Sequence, residues 1–238
     1  MCACEGFGLQ FMDDDIDTRP GPAARHARVQ AKRDSFSGFL YLQVDPPRPG
    51  PPVGIVFLHG AGERGGDPWR VLDYGLPATL VSGTHAIDAP VCCPHLTAGE
   101  AWDPASVARF MASLRGEFER VVLCGYSLGG SGACDLVAAF GTVADLTIVV
   151  AGRSAHAPGD VPLDGRVLFI EGEHDDWPET SVLRLALAER GRAPTHVILA
   201  GAGHFIAEAA MEQEAVVAGL AALGVTYGRQ GPQELPAD

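Results

Sequence analysis

Five short runs of nearly unbroken apolar residues constrain this chain most. They are GIVFLHG (54–60), RVVLCGYS (120–127), LTIVVAG (146–152), RVLFIEGE (166–173) and THVILAG (195–201). Each is short for a buried helix and too apolar for a strand with one wet face. Strands lacking polar alternation are buried on both sides, as in a parallel sheet covered by helices. IDAPVCCP (87–94) reads as a further strand. Between these runs the spacing turns helical. In SVARFMASLRGEF (106–118) apolar residues fall at Val107, Phe110, Met111, Leu114 and Phe118. Helices are also expected over 129–140, 181–191 and 205–223. Residues 27–45 read as a hairpin, and the proline-rich 45–54 as a loop, because proline cannot donate to a ladder. The class is therefore α/β, a mostly parallel, doubly wound sheet with helices on both faces.

The chain has 238 residues, enough for one domain with a sizeable core. That domain is expected over 25–227, after an acidic, then Pro- and Gly-rich segment 1–24 expected to be disordered, and before an unstructured tail over 228–238. Net charge is −13, from 30 acids and 17 bases, which disfavours nucleic acid and anionic membrane as partners. No stretch reaches the ~18 apolar residues of a membrane span. The first residues lack a basic, then apolar leader pattern, so a cytoplasmic location is the expectation. The six cysteines, Cys2, Cys4, Cys92, Cys93, Cys124 and Cys134, match no zinc-site spacing. Buried thiols are expected for those in strands and helices, with a vicinal Cys92–Cys93 disulfide as the rarer alternative.

Gly125-Tyr126-Ser127-Leu128-Gly129 follows a buried strand and opens a helix. This is G-x-S-x-G in the context its chemistry requires. A tight turn lifts the serine oxygen clear of the sheet at the positive end of a helix. Ser127 is the candidate nucleophile. The plain alternative is a glycine-rich turn with a capping serine. A serine hydroxyl needs a base within hydrogen-bond reach. Of eight histidines, His204 lies just past the last strand and before the last helix, among small residues. A carboxylate beyond a late strand would hold its tautomer. Asp175 and Asp176 both qualify after RVLFIEG. Asp175 is preferred because it sits three residues past Gly172.

Acyl transfer also needs donors aimed at the developing oxyanion. The backbone N–H groups of Ala61, in LHGAGERGG, and of Leu128 are the candidates. His59 is expected to bond its own loop, and Glu63 and Arg64 either to contact substrate or to form an ion pair shaping the loop. No Gly-Lys-Ser/Thr follows, so this loop is no phosphate cradle, and no HExxH or HxH cluster points to a metal.

LHGAGERGG, Pro-His in CCPHL, Trp102-Asp103, GYSLGG, GEHDD and GAGH resemble the α/β-hydrolase superfamily, more closely its phospholipase/carboxylesterase and "predicted peptidase" esterase branch. The similarity spans roughly 53–223. His95 stands where the family often has glutamine. The resemblance implies a cofactor-independent serine esterase working through an acyl-enzyme, with Ser127, Asp175 and His204 as triad and Ala61 and Leu128 as oxyanion donors. Its partner would be a small-molecule ester or related acyl substrate. Thioesterase, amidase and acyl-transfer or cyclase chemistry use the same parts. A non-catalytic binding protein on this scaffold and a metal-dependent hydrolase are the rival readings. Trp102, Tyr126 and Trp177 are candidate pocket walls, with core packing the alternative for each. Only about sixteen residues join the strand near 146–150 to that near 167, too few for a helical lid.

Overall fold

The computed structural model describes residues 27–230. The amino half holds β1 (Arg28–Arg33), β2 (Leu40–Asp45), β3 (Val53–Leu58), α1 (Gly75–Val81), β4 (His85–Ile87), β5 (Val91–Pro94) and α2 (Pro104–Leu114). The remainder holds β6 (Arg120–Tyr126), α3 (Leu128–Phe140), β7 (Leu146–Val150), β8 (Arg166–Gly172), α4 (Ser181–Glu189), β9 (Thr195–Leu199), α5 (Ala207–Met211), α6 (Glu214–Ala221) and β10 (Tyr227–Arg229). Eight strands form one sheet in the order β1-β2-β5-β3-β6-β7-β8-β9. From β5 to β9 every pairing is parallel, and β2 alone runs against its neighbours.

The two faces bury separate cores, and the central strands feed both. The edge strand β9 packs only Val197 and Leu199 on one of them and leaves Ile198 48% exposed, against the double burial its apolar run predicts. In β6, Val122, Cys124 and Tyr126 pack under α1, α5 and α6, while Val121 and Leu123 pack under α2, α3 and α4. β3 and β8 divide the same way. This double burial is why the strands read as continuous apolar runs. α2 starts on Asp103, whose side chain caps the Ser106 N–H, followed by Pro104 at its first position. Its Val107, Phe110, Met111 and Leu114 are buried, as the spacing predicts, while Phe118 lies beyond the helix end. Cys92 and Cys93 face opposite cores and are free thiols, as are the buried Cys124 and Cys134. Burial pushes the Cys92 thiol up to about 12. No described helix is long and apolar enough to cross a membrane.

Several expectations fail locally. The single helix over 205–223 is broken between Met211 and Glu214 into α5 and α6. The run 87–94 is two strands, since Asp88–Pro90 turns the chain from β4 into β5. The tail does not begin at residue 228. Gly228 and Arg229 pair with Ala86 and His85, and Glu212 anchors the pair by binding both Arg229 and His85. A three-residue strand with no apolar alternation gives no periodic signal. Residues 1–24, with Cys2 and Cys4, and 231–238 lie outside the described residues.

Phe110 holds α2 to the sheet, meeting Tyr41 and Phe39 edge-on with centroids 5.0 and 5.8 Å apart. Phe110→Ala should cost about 3–5 kcal/mol in urea unfolding without changing the far-ultraviolet spectrum of the folded state. A loss below about 1 kcal/mol would contradict this packing.

Candidate active site

β6 ends at the carboxyl edge of the sheet in Tyr126, and Ser127 follows with φ 54° and ψ −113°. A side chain in that region is strained. The turn closes because its flanks have no Cβ. A Cβ on Gly125 would stand 2.1 Å from the Gly129 carbonyl oxygen, and one on Gly129 would stand 1.9 Å from that of Leu58. The Ser127 N–H donates to the Val150 carbonyl at 2.9 Å, tying the turn to β7.

Ser127 Oγ lies 2.9 Å from His204 Nε2, and His204 Nδ1 lies 2.6 Å from Asp175 Oδ2. A carboxylate only accepts, so Nδ1–H donates to Asp175 and Nε2 is left to accept from the serine hydroxyl. The Asp175 side chain is 4% exposed and His204 28%, so the acid is shielded and the ring is reachable. The other Asp175 oxygen accepts the Trp177 N–H at 3.1 Å. Asp176 is exposed and has no such contact. The loops after β8 and β9 hold each other in register. His174 N–H donates to the Ala202 carbonyl, Gly201 N–H to the Glu173 carboxylate, and Gly172 packs against the 202–203 backbone.

The loop after β3 begins with His59, 1% exposed. Leu96 N–H donates to its Nε2 at 3.2 Å, which leaves Nδ1–H to donate to the Gly60 carbonyl at 2.7 Å. His59 thus bonds its own loop, as expected. Glu63 and Arg64 form no ion pair among the described residues. Instead Arg64 donates to the Ala61 and Glu100 carbonyls and Arg70 to those of Gly62 and Arg64. Burial lifts the Glu63 carboxyl above its ordinary value. Ala61 opens a short 3-10 turn and Leu128 opens α3, where the first N–H groups have no intrahelical acceptor. Both N–H groups sit on segments that meet at the Gly129–Leu58 contact.

No protein-family model and no curated protein matches the chain. Solved structures do. One described as a thermostable esterase aligns with a TM-score of 0.58 at 19% identity, over 84% of this chain and 64% of that one. The chain thus spans less than two thirds of that esterase. An α/β serine hydrolase without lid from Xanthomonas campestris aligns at 0.55 and 18% identity, over 83% of this chain and 94% of that one. An esterase/lipase from an uncultured bacterium aligns at 0.58 and 14%, over 85% and 84%. The chain has the α/β-hydrolase fold. Identities this low speak for the fold alone.

On this hydrolase fold the three aromatic candidates separate. Trp102 is 4% exposed, packs on Phe39 and His59, and donates its indole N–H to the His59 carbonyl. It is core, not pocket wall. Tyr126 lies beneath the histidine, its ring 5.6 Å from that of His204 and its hydroxyl donating to the His204 carbonyl. Trp177 is 40% exposed and stands edge-on to His204 at 5.6 Å. Sequence reasoning passed over Phe205, 85% exposed and edge-on to His204 at 5.9 Å, and Tyr74 beside both Tyr126 and Phe205. It also passed over Arg153, which sits at the carboxyl edge just past β7, where the position itself was the available signal. A cleft of about 320 Å3 lies elsewhere, at the amino ends of β8 and β9, and touches no triad residue.

Burial depresses the His59 pKa to about 4, from an ordinary 6.5. Between those values the unfolded chain binds a proton that the folded one does not, so stability is full above pH 6.5 and falls on acidification toward pH 4. The loss from this residue is at most about 1.4 kcal/mol per pH unit. Urea titrations across this window should give a shallower slope for His59→Gln than for the parent, and equal slopes would refute the assignment.

Proposed function

We propose that the chain is a serine hydrolase that cleaves a carboxylic ester, or a related acyl bond, through an acyl-enzyme on Ser127. The observation that carries this reading is the unbroken hydrogen-bonded line from Ser127 Oγ through His204 to Asp175. In this reading His204 Nε2 takes the hydroxyl proton as Ser127 Oγ attacks the carbonyl carbon. Asp175 holds the ring and stabilises the imidazolium. The Leu128 and Ala61 N–H groups receive the oxyanion. His204 returns the proton to the leaving alcohol, then activates a water that releases the acid. The strained turn at Ser127 supports the same reading, since such strain persists where the surroundings over-determine it.

The exposed rim speaks for an open site. The 151–165 segment between β7 and β8 contains no helix, and the His204 side chain is 28% exposed. Trp177 and Phe205, each edge-on to it, offer exposed apolar surface beside it. This fits small, soluble esters better than substrates that need an interface to open a lid.

A fluorophosphonate probe should label the parent protein, and Ser127→Ala should abolish both labelling and turnover of short 4-nitrophenyl esters. Loss of the nucleophile should cost about 10⁶-fold in kcat. Asp175→Asn should cost about 10⁴-fold, because the ring loses its tautomer, while Asp176→Asn stays within a few-fold. An unlabelled, inactive parent would favour the binding-protein alternative. Equal losses from both aspartates would refute the assigned acid.

A further inference from the structure

Arg153 is the one cation at the triad's rim whose side chain makes no hydrogen bond or ion pair among the described residues. Its neighbours are placed rigidly. The Arg153 N–H donates to Ser131 Oγ at 3.0 Å, and Ser131 Oγ donates in turn to the Ser127 carbonyl at 3.3 Å. The adjoining Gly152 packs against Gly130 of α3. On the other side, residues 152–154 pair with Glu179 in a parallel bridge, through Ser154 N–H to the Glu179 carbonyl and Glu179 N–H to the Gly152 carbonyl. The segment bearing Arg153 is therefore bonded both to the serine turn and to the loop that carries Asp175.

The guanidinium lies 6.0 Å from the centre of the Trp177 ring, and that ring stands 5.6 Å from His204. The charge is thus two ring contacts from the imidazole. Hydrogen bonds from Ser181 and, less, the Arg153 charge hold the nearby Glu179 carboxyl below its ordinary value, but Arg153 and Glu179 form no ion pair. Arg28, Arg115, Arg192 and Arg229 each pair with an acid, but Arg153 does not. Glu179, its partner across the bridge, turns its carboxylate to the Ser181 N–H instead. Arg64 and Arg70, also at this edge, spend their donors on loop carbonyls. Aromatic contact orients the fork while leaving its N–H donors unused.

We infer that Arg153 is a specificity residue that binds a carboxylate on the substrate, so that the site takes esters bearing a second, free acid group. This rests on the serine-hydrolase reading and narrows it to half-esters of dicarboxylic acids and to acyl esters whose alcohol part carries a carboxylate. A fork of N–H donors matches a carboxylate in two parallel bonds. The distal carboxylate is unchanged by the reaction. Water adds its hydroxyl to the acyl carbon, the acyl C–O bond breaks, and the alcohol leaves with the proton.

The test compares esters that differ in charge. On the acyl side, mono-4-nitrophenyl adipate is set against 4-nitrophenyl hexanoate. On the alcohol side, the hexanoate of 3-hydroxybenzoate is set against phenyl hexanoate. The parent should favour the acidic member of at least one pair by about tenfold in kcat/KM, chiefly through KM, and the preference should shrink with added salt. Arg153→Gln should cut that ratio about tenfold, Arg153→Glu should reverse it, and Arg153→Lys should retain part of it. Because the readout is a ratio within one variant, a general loss of activity does not imitate the result. No preference in either pair, or a preference that survives Arg153→Gln and Arg153→Glu, overturns the inference while leaving the hydrolase reading standing. Failure of every ester together with absent fluorophosphonate labelling overturns both.

Discussion

The contact between Gly129 and the Leu58 carbonyl oxygen is the constraint on which the site depends. It lets α3 start hard against the end of β3, so that Ser127 is forced to φ 54° and ψ −113°. Such a conformation costs of order 1–3 kcal/mol and persists only where surrounding bonds leave no relaxed alternative. Those bonds are visible. Ser127 N–H is held by Val150, Ser131 N–H by the Ser127 carbonyl, and Gly130 is packed against Gly152. The same approach brings the two segments carrying Ala61 and Leu128 together. One glycine contact thus supports both the strained serine turn and the approach of the loop after β3.

A second layer of order comes from the loops past β8 and β9. They are hydrogen-bonded to each other before either reaches the serine. Asp175 and His204 therefore arrive as a pair, with the acid 4% exposed and the ring 28% exposed. A shielded carboxylate is stable here because it accepts from both His204 and the Trp177 N–H. The buried His59 does comparable work at the opposite loop. It uses both ring nitrogens to staple the chain after β3 to the chain after β5.

Around this rigid centre the rim is open and chemically mixed. Trp177 and Phe205 expose apolar rings, and Arg153 supplies a charge that is in no ion pair or side-chain hydrogen bond among the described residues. In a strongly acidic molecule, carboxylates elsewhere would repel an anionic substrate, so a local cation at the rim has the most leverage there. The arginines of the loop after β3 are committed to backbone carbonyls and shape the loop rather than the charge of the site.

Local patterns carried much of this protein. Double burial forces continuous apolar strands, and helical spacing marked α2, so the α/β architecture was legible from composition along the chain. Ser127 and His204 were legible too, because a strand–turn–helix with glycines at fixed offsets has few uses, and a histidine past the last strand has a natural partner there. What periodicity cannot convey is which way a side chain points once distant segments meet. Trp102 and Trp177 look alike in sequence, yet packing by Phe39 and His59 sends one into the core, while the other edges against His204 at the surface. Asp175 and Asp176 are neighbours, and only the position of an imidazole twenty-nine residues on separates them. β10 exists because β4 offers it an edge and Glu212 anchors it, and neither is adjacent in the chain. Spacing records local geometry, whereas direction, pairing and isolation of charge arise from contacts between segments, which only the folded chain brings together.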